Sequence, residues 1–158
     1  MALYLVQHGK SVSKSEDADQ PLSDNGYEKT ELMAKLASEK GIEVGKIIHS
    51  KKTRAIQTAQ IFMKYLKPEH GIDVIKGLNP NDPVERIGNC LKSESNLMIV
   101  GHIPFLERLT SYLITGRNDL LIMKFQNSGI ICLDMEQNIK TDKNHTWFIK
   151  WTLMPEVK

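Results

Sequence analysis

Ala2-Leu3-Tyr4-Leu5-Val6-Gln7-His8-Gly9 opens on a strand-like apolar run and stops at an imidazole followed by glycine. A reactive group delivered at the carboxyl end of a buried strand, with a glycine that lets the backbone turn away, is how α/β proteins present chemistry. Position makes His8 a candidate nucleophile. Two later segments repeat the pattern. Ile47-Ile48 leads into His49-Ser50-Lys51-Lys52-Thr53-Arg54, and Leu97-Met98-Ile99-Val100 leads into Gly101-His102. Strands buried on both faces read as continuous apolar runs, and parallel strands end on one common edge. If these three are neighbours, His8, Arg54 and His102 surround one cavity, whose charge and shape suit a phosphoryl group.

The bulk properties narrow the class. The chain has 158 residues and is 41% apolar, which fits one domain with a real core. Its 21 basic and 19 acidic residues leave a net charge of +2, so neither nucleic acid nor an anionic membrane is demanded as a partner. No basic leader precedes the first strand, and no apolar run approaches the roughly 18–20 residues of a membrane span, so a cytoplasmic location is expected. Cys90 and Cys132 are too few for a metal motif or a disulfide framework and are expected to be buried thiols.

Helices separate the strands. Lys10 to Gln20 is polar and aperiodic, as in a mobile loop at the mouth of a site. Ser23 is the expected N-cap of a first helix, with Asp24 in its first turn, Leu32, Met33, Leu36 and Ala37 on its apolar face and Gly41 as its stop. Ala55, Ala59, Phe62 and Leu66 describe a second helix that places Arg54 in its first turn and ends before Pro68. A helix amino terminus offers free N–H groups to an anion, and Lys51 and Lys52 add local positive charge. Val84, Ile87 and Leu91 mark a third helix. Pro104, at the first position, opens a fourth with Phe105, Leu106, Leu109 and Leu113 inward and Gly116 at its end. Runs at Leu120–Phe125, Ile130–Asp134 and Thr146–Leu153, with a polar turn from Glu136 to Asn144, suggest antiparallel edge strands. Trp147 and Trp151 share one strand face by period two, which argues core packing.

These segments resemble the histidine phosphatase superfamily of phosphoglycerate-mutase-like fold, and within it the small SixA-type phosphohistidine phosphatases. The resemblance rests on Leu5-Val6-Gln7-His8-Gly9, on Pro21-Leu22-Ser23-Asp24-Asn25-Gly26, and on Ser50 through Arg54-Ala55-Ile56-Gln57-Thr58-Ala59. Gly101-His102-Ile103-Pro104, Ser128-Gly129 and the closing Trp-containing strand continue it. It implies a histidine-phosphatase-like domain over 1–158. The expected fold is a three-layer α/β sheet, mostly parallel with antiparallel edge strands, and helices on both faces. It further implies that His8 attacks phosphorus, that Gln7, Arg54 and His102 contact the phosphoryl oxygens, and that water releases phosphate without metal or cofactor. The implied substrate is phosphohistidine on a partner protein, or else a small phosphate ester.

The chain departs from the pattern at Gln7, where the resemblance places arginine, and at Lys51, where it places proline. A charge-assisted hydrogen bond is worth about 1.5–3 kcal/mol against about 1 for a neutral one. Glutamine is therefore expected to slow the reaction by roughly five- to thirtyfold, and arginine at position 7 to raise turnover. Lys10, Lys51 and Lys52 are the cations available to compensate. Asp82 is the candidate general acid, beside Glu16, Asp17 and Asp19 in the loop. The rival reading is a degenerate member that binds phosphate or a phosphoprotein without turnover. His49, His70 and His145 are left as structural or exposed.

Overall fold

The computed structural model describes residues 2–91, 96–137 and 145–157. Among the described residues six strands form one sheet: β1 (Ala2–Gln7), β2 (Lys46–His49), β3 (Ile72–Val74), β4 (Leu97–Gly101), β5 (Ile130–Gln137) and β6 (His145–Leu153), in the order β3-β2-β4-β1-β5-β6. β3, β2, β4 and β1 run parallel, whereas β5 and β6 add antiparallel at one side. β4 is inserted between β1 and β2, so the winding direction reverses there. Such a reversal opens a crevice at the carboxyl ends of the strands. Those ends carry Gln7-His8, His49-Ser50 and Gly101-His102.

Four helices among the described residues complete the three layers: α1 (Asp24–Glu39), α2 (Thr53–Leu66), α3 (Glu85–Cys90) and α4 (Phe105–Thr115). Alternate strand residues point to opposite faces. Tyr4, Val6, Ile47, Met98 and Val100 pack under Met33 and Ala37 of α1 and Ala59 and Phe62 of α2. Leu3, Leu5, Ile48 and Ile99 pack under Ile87 of α3 and Leu106 and Leu109 of α4. The ends of the helices follow their chemistry. Ser23 Oγ accepts the Gly26 N–H at 3.0 Å, and Gly116 closes α4 at a positive φ of 76°. Pro104 takes the N-cap of α4, one place earlier than expected.

Several sequence expectations need correction. Leu120–Phe125 joins no ladder. β5 is already paired on both sides, and the Leu120 N–H goes instead to Ser111 Oγ at 3.2 Å. β3, three residues long, has no counterpart among the expected strands. Trp147 and Trp151 lie on opposite faces, because Cys132 pairs with Trp151 and Leu133 with Ile149, and the extra residue Lys150 reverses the alternation. Trp151 packs beside Tyr4, ring centroids 5.9 Å apart. Leu32 is half exposed, and Cys90 is exposed, while Cys132 is buried. Of the polar turn expected over Glu136–Asn144, residues 138–144 lie outside the described residues, as does the side chain of His145.

Gly9 is required for a reason other than backbone freedom. Its φ is not positive, but a Cβ there would stand 2.5 Å from Thr30 Oγ1 and 2.9 Å from Leu22 Cδ2. Space beside α1, rather than a turn, excludes a side chain.

Candidate active site

The sheet edge brings the three expected residues together. His8 follows β1 and His102 follows β4, and their ring centroids are 4.9 Å apart. Arg54 is the second residue of α2, and its Nε donates to His8 Nε2 at 3.1 Å. Adjacency of β1 and β4, which pair Gln7 with Gly101, holds the rings at this spacing, and the short β2–α2 connection delivers the guanidinium.

Hydrogen bonds set the tautomer of His8 and anchor the ring of His102. His8 Nδ1 lies 2.7 Å from the Gly9 carbonyl, an acceptor only, so the proton sits on Nδ1 and Nε2 keeps its lone pair. That assignment agrees with Nε2 accepting from Arg54. His102 Nε2 is 2.6 Å from Ser50 Oγ, which also receives the Lys52 N–H at 3.4 Å. A hydroxyl that accepts from Lys52 keeps both its proton and a second lone pair; where it donates to Nε2, the ring N–H of His102 lies on Nδ1. This atom is buried and has no partner among the described residues.

Both rings are held neutral. Burial, with a smaller contribution from Arg54, takes His8 down to about 4, against an opposing effect from the Gly9 carbonyl. Burial, then the His8, Arg54 and Lys52 charges, takes His102 down to about 3. Arg54 is partly buried, and its pKa is lowered by desolvation. No carboxylate pairs with it among the described residues. A desolvated guanidinium without a counter-ion is costly, and an anionic ligand relieves that cost. The amino terminus of α2, with no side-chain cap, lies beside it.

A second layer of bonds fixes the Gln7-His8-Gly9 backbone. The Ser128 N–H donates to the Gln7 carbonyl at 2.9 Å, and Asn127 Nδ2 to the His8 carbonyl at 2.8 Å. Thr58 Oγ1 accepts the Gly9 N–H at 2.9 Å and donates to the Arg54 carbonyl at 2.7 Å. Sequence reasoning had assigned no role to Ser50, Thr58 or Asn127. Ser50 and Thr58 stood inside the segment that carried the resemblance, whereas nothing in the sequence marked Asn127.

The other expected residues occupy different settings. Gln7 is buried, and its Oε1 has no partner among the described residues. Asp82 Oδ2 accepts the Asn79 N–H at 2.8 Å and so caps its own turn. Glu16, Asp17 and Asp19 are exposed in a segment of tight turns, clasped by the Ser11–Leu22 bridge. Lys51 and Lys10 are exposed, and Lys52 is partly buried at the start of α2. His49 is buried with Nδ1 2.8 Å from the Ser50 carbonyl, and His70 is exposed. Among the described residues no group of three or more His, Cys, Asp or Glu side chains is arranged to hold a metal ion, and no helix is long and apolar enough to cross a membrane.

Residues 3–79 match the family model of the histidine phosphatase superfamily, branch 1. The chain is 22% identical over 144 residues to phosphohistidine phosphatase SixA of Escherichia coli, covering 87% of this chain and 88% of that one. It is 31% identical over 141 residues to an uncharacterised protein of Picosynechococcus sp., with 84% of each covered. The solved structure of the protein histidine phosphatase SixA complexed with tungstate superposes with a TM-score of 0.83 at 21% identity, over 98% of this chain and 97% of that one.

Proposed function

This chain belongs to the histidine phosphatase superfamily, and on that premise we propose that it is a phosphatase in which His8 attacks phosphorus and transiently carries the phosphoryl group. The observation that carries the proposal is the protonation pattern. The Gly9 carbonyl keeps the His8 proton on Nδ1, so a neutral lone pair on Nε2 meets an unpaired guanidinium. A neutral imidazole is nucleophilic, and covalent catalysis divides one difficult displacement into two easier ones.

In this reading the phosphoryl group enters between Arg54 and His8. Arg54 exchanges its bond to Nε2 for bonds to equatorial oxygens, and the His102 Nδ1–H donates to another. Lys52 and the α2 amino terminus add positive potential, so the protein's own groups supply the charge that stabilises the transition state, without a metal. Water then attacks phospho-His8 and releases phosphate. The substrate we assign is phosphohistidine on a partner protein, which agrees with the relative named a phosphohistidine phosphatase. Its leaving imidazole is a far weaker base than an alkoxide. The reaction then has no need of Asp82, whose carboxylate is engaged by Asn79.

Purified protein with chelator present is given a phosphohistidine-bearing phosphotransfer protein and, separately, an aryl phosphomonoester, with His8→Ala run in parallel. Phosphate release that disappears in His8→Ala is the expected result. Release persisting in that variant refutes the nucleophile. Tight phosphate binding without release favours the non-catalytic phosphate binder.

A further inference from the structure

Gln7 ends β1 at 7% exposure, and its Oε1 has no hydrogen-bond donor among the described residues. Buried polar atoms in folded proteins nearly always find partners, so an orphan beside a reactive centre needs an explanation. Gln7 also lines a cavity of about 420 Å³ with Lys10, Lys29, Ile103, Phe125 and Asn127. Its lining includes the chain neighbours of both histidines: Gln7 precedes His8, Ile103 follows His102, and Asn127 donates to the His8 carbonyl.

An amide oxygen is satisfied only by a group that brings a proton. The oxygens of a phosphoryl dianion bring none, and in the proposed reaction their charge is met by Arg54 and His102. A leaving group that carries an N–H brings one. We propose that this cavity receives the leaving group and that Gln7 Oε1 accepts the N–H on the unphosphorylated nitrogen of a phosphoimidazole. The inference rests on the phosphohistidine reading above and makes Gln7 the residue that selects that substrate.

The step balances without a separate acid. The lone pair of His8 Nε2 forms the new N–P bond. The P–N bond of the substrate breaks, and its electron pair stays on the departing ring nitrogen. Because the far nitrogen of that ring is protonated, the ring leaves as neutral imidazole. His8 keeps its Nδ1 proton on the Gly9 carbonyl, 2.7 Å away, and becomes the phosphoimidazolium. The two imidazoles that exchange the phosphoryl group are therefore served alike: each far N–H rests on a carbonyl oxygen, Gly9 for the enzyme and Gln7 for the substrate.

The test crosses one variant with one substrate change. Wild-type protein and Gln7→Met are assayed at about pH 6, where an imidazole is largely protonated, on N-phosphoimidazole and on its N′-methyl analogue, in which a methyl replaces the proton. Loss of one neutral hydrogen bond corresponds to about fivefold in rate. Gln7→Met is expected to lose about fivefold more kcat/KM on N-phosphoimidazole than on the methylated compound. A general folding defect cancels in that ratio. Equal losses on the two substrates overturn the inference while leaving the phosphatase reading intact. Absence of His8-dependent release from either compound overturns both.

Discussion

Arg54 Nε donates to His8 Nε2 at 3.1 Å, so the cation proposed to hold the phosphoryl group sits on the lone pair proposed to attack it. Substrate replaces one contact with several. Arg54→Ala is expected to lower kcat/KM by roughly a hundred- to a thousandfold, the usual cost of removing one transition-state donor. It also removes a positive charge that depresses His8, so the acid limb of the pH–rate profile should move upward. A kinetic loss with an unmoved limb would mean that the two side chains are not coupled in solution.

The pH dependence of stability follows from the neutral rings. His8 and His102 are lowered from 6.5 to about 4 and about 3, chiefly by burial. The unfolded chain therefore binds more protons than the folded one between those values and about 6.5. Stability contributed by the pair is complete above pH 6.5 and is lost as pH falls toward 4 and then 3. Urea midpoints from pH 7 to pH 4 should decline in wild type and decline less in His102→Asn. Parallel declines would assign the acid sensitivity to other groups.

Thr58→Val removes a hydroxyl of nearly the same volume and leaves the Gly9 N–H without its partner. The cost of an unpaired buried donor is about 1–3 kcal/mol. The urea midpoint should fall correspondingly. With His8 as the proposed nucleophile, turnover should drop with little change in KM, since Thr58 ties the Gly9 N–H to the Arg54 carbonyl.

Gly26→Ala sets two effects against each other. Alanine improves on glycine within a helix by up to about 1 kcal/mol. At this place, however, a Cβ would overlap the Lys10 carbonyl, which is backbone and has little freedom to withdraw. Overpacking of this kind costs about 1–3 kcal/mol or more. The variant should therefore be destabilised in thermal or urea unfolding, and a stabilised one would mean that Lys10 moves easily.

Gln7→Arg separates the substrate classes. Arginine adds a charged donor for phosphoryl oxygens but deletes the only acceptor proposed for the leaving N–H. The variant should gain rate on an aryl phosphate and lose preference for phosphohistidine. Gains of equal size on both would return position 7 to a simple phosphate clamp.

The main features were legible because β1 and β4 are apolar runs that lead straight into His8 and His102, while Ile47-Ile48 of β2 precedes the helix that carries Arg54. Their adjacency follows once β4 is seated between the other two. What escaped the sequence had no periodic signal. Ile72-Asp73-Val74 is too short to show alternation, and Leu120–Phe125 had the composition of a strand, but β5, which follows it in the chain, is already paired on both sides. The face of Trp151 was reversed by a bulge that composition does not encode. Bonds from Ser50, Thr58 and Asn127 join side chains to distant chain segments, and only folding brings them within reach.

The most direct measurement is to mix the protein with a phosphohistidine-bearing phosphotransfer protein, stop the reaction within the first turnover in alkali, which preserves phosphohistidine, and locate the phosphoryl group by peptide mass spectrometry. A transient phosphoryl group on the peptide containing His8, absent from His8→Ala, is the outcome expected here. Phosphate release in the first turnover with no phosphoryl group ever found on His8 would contradict it.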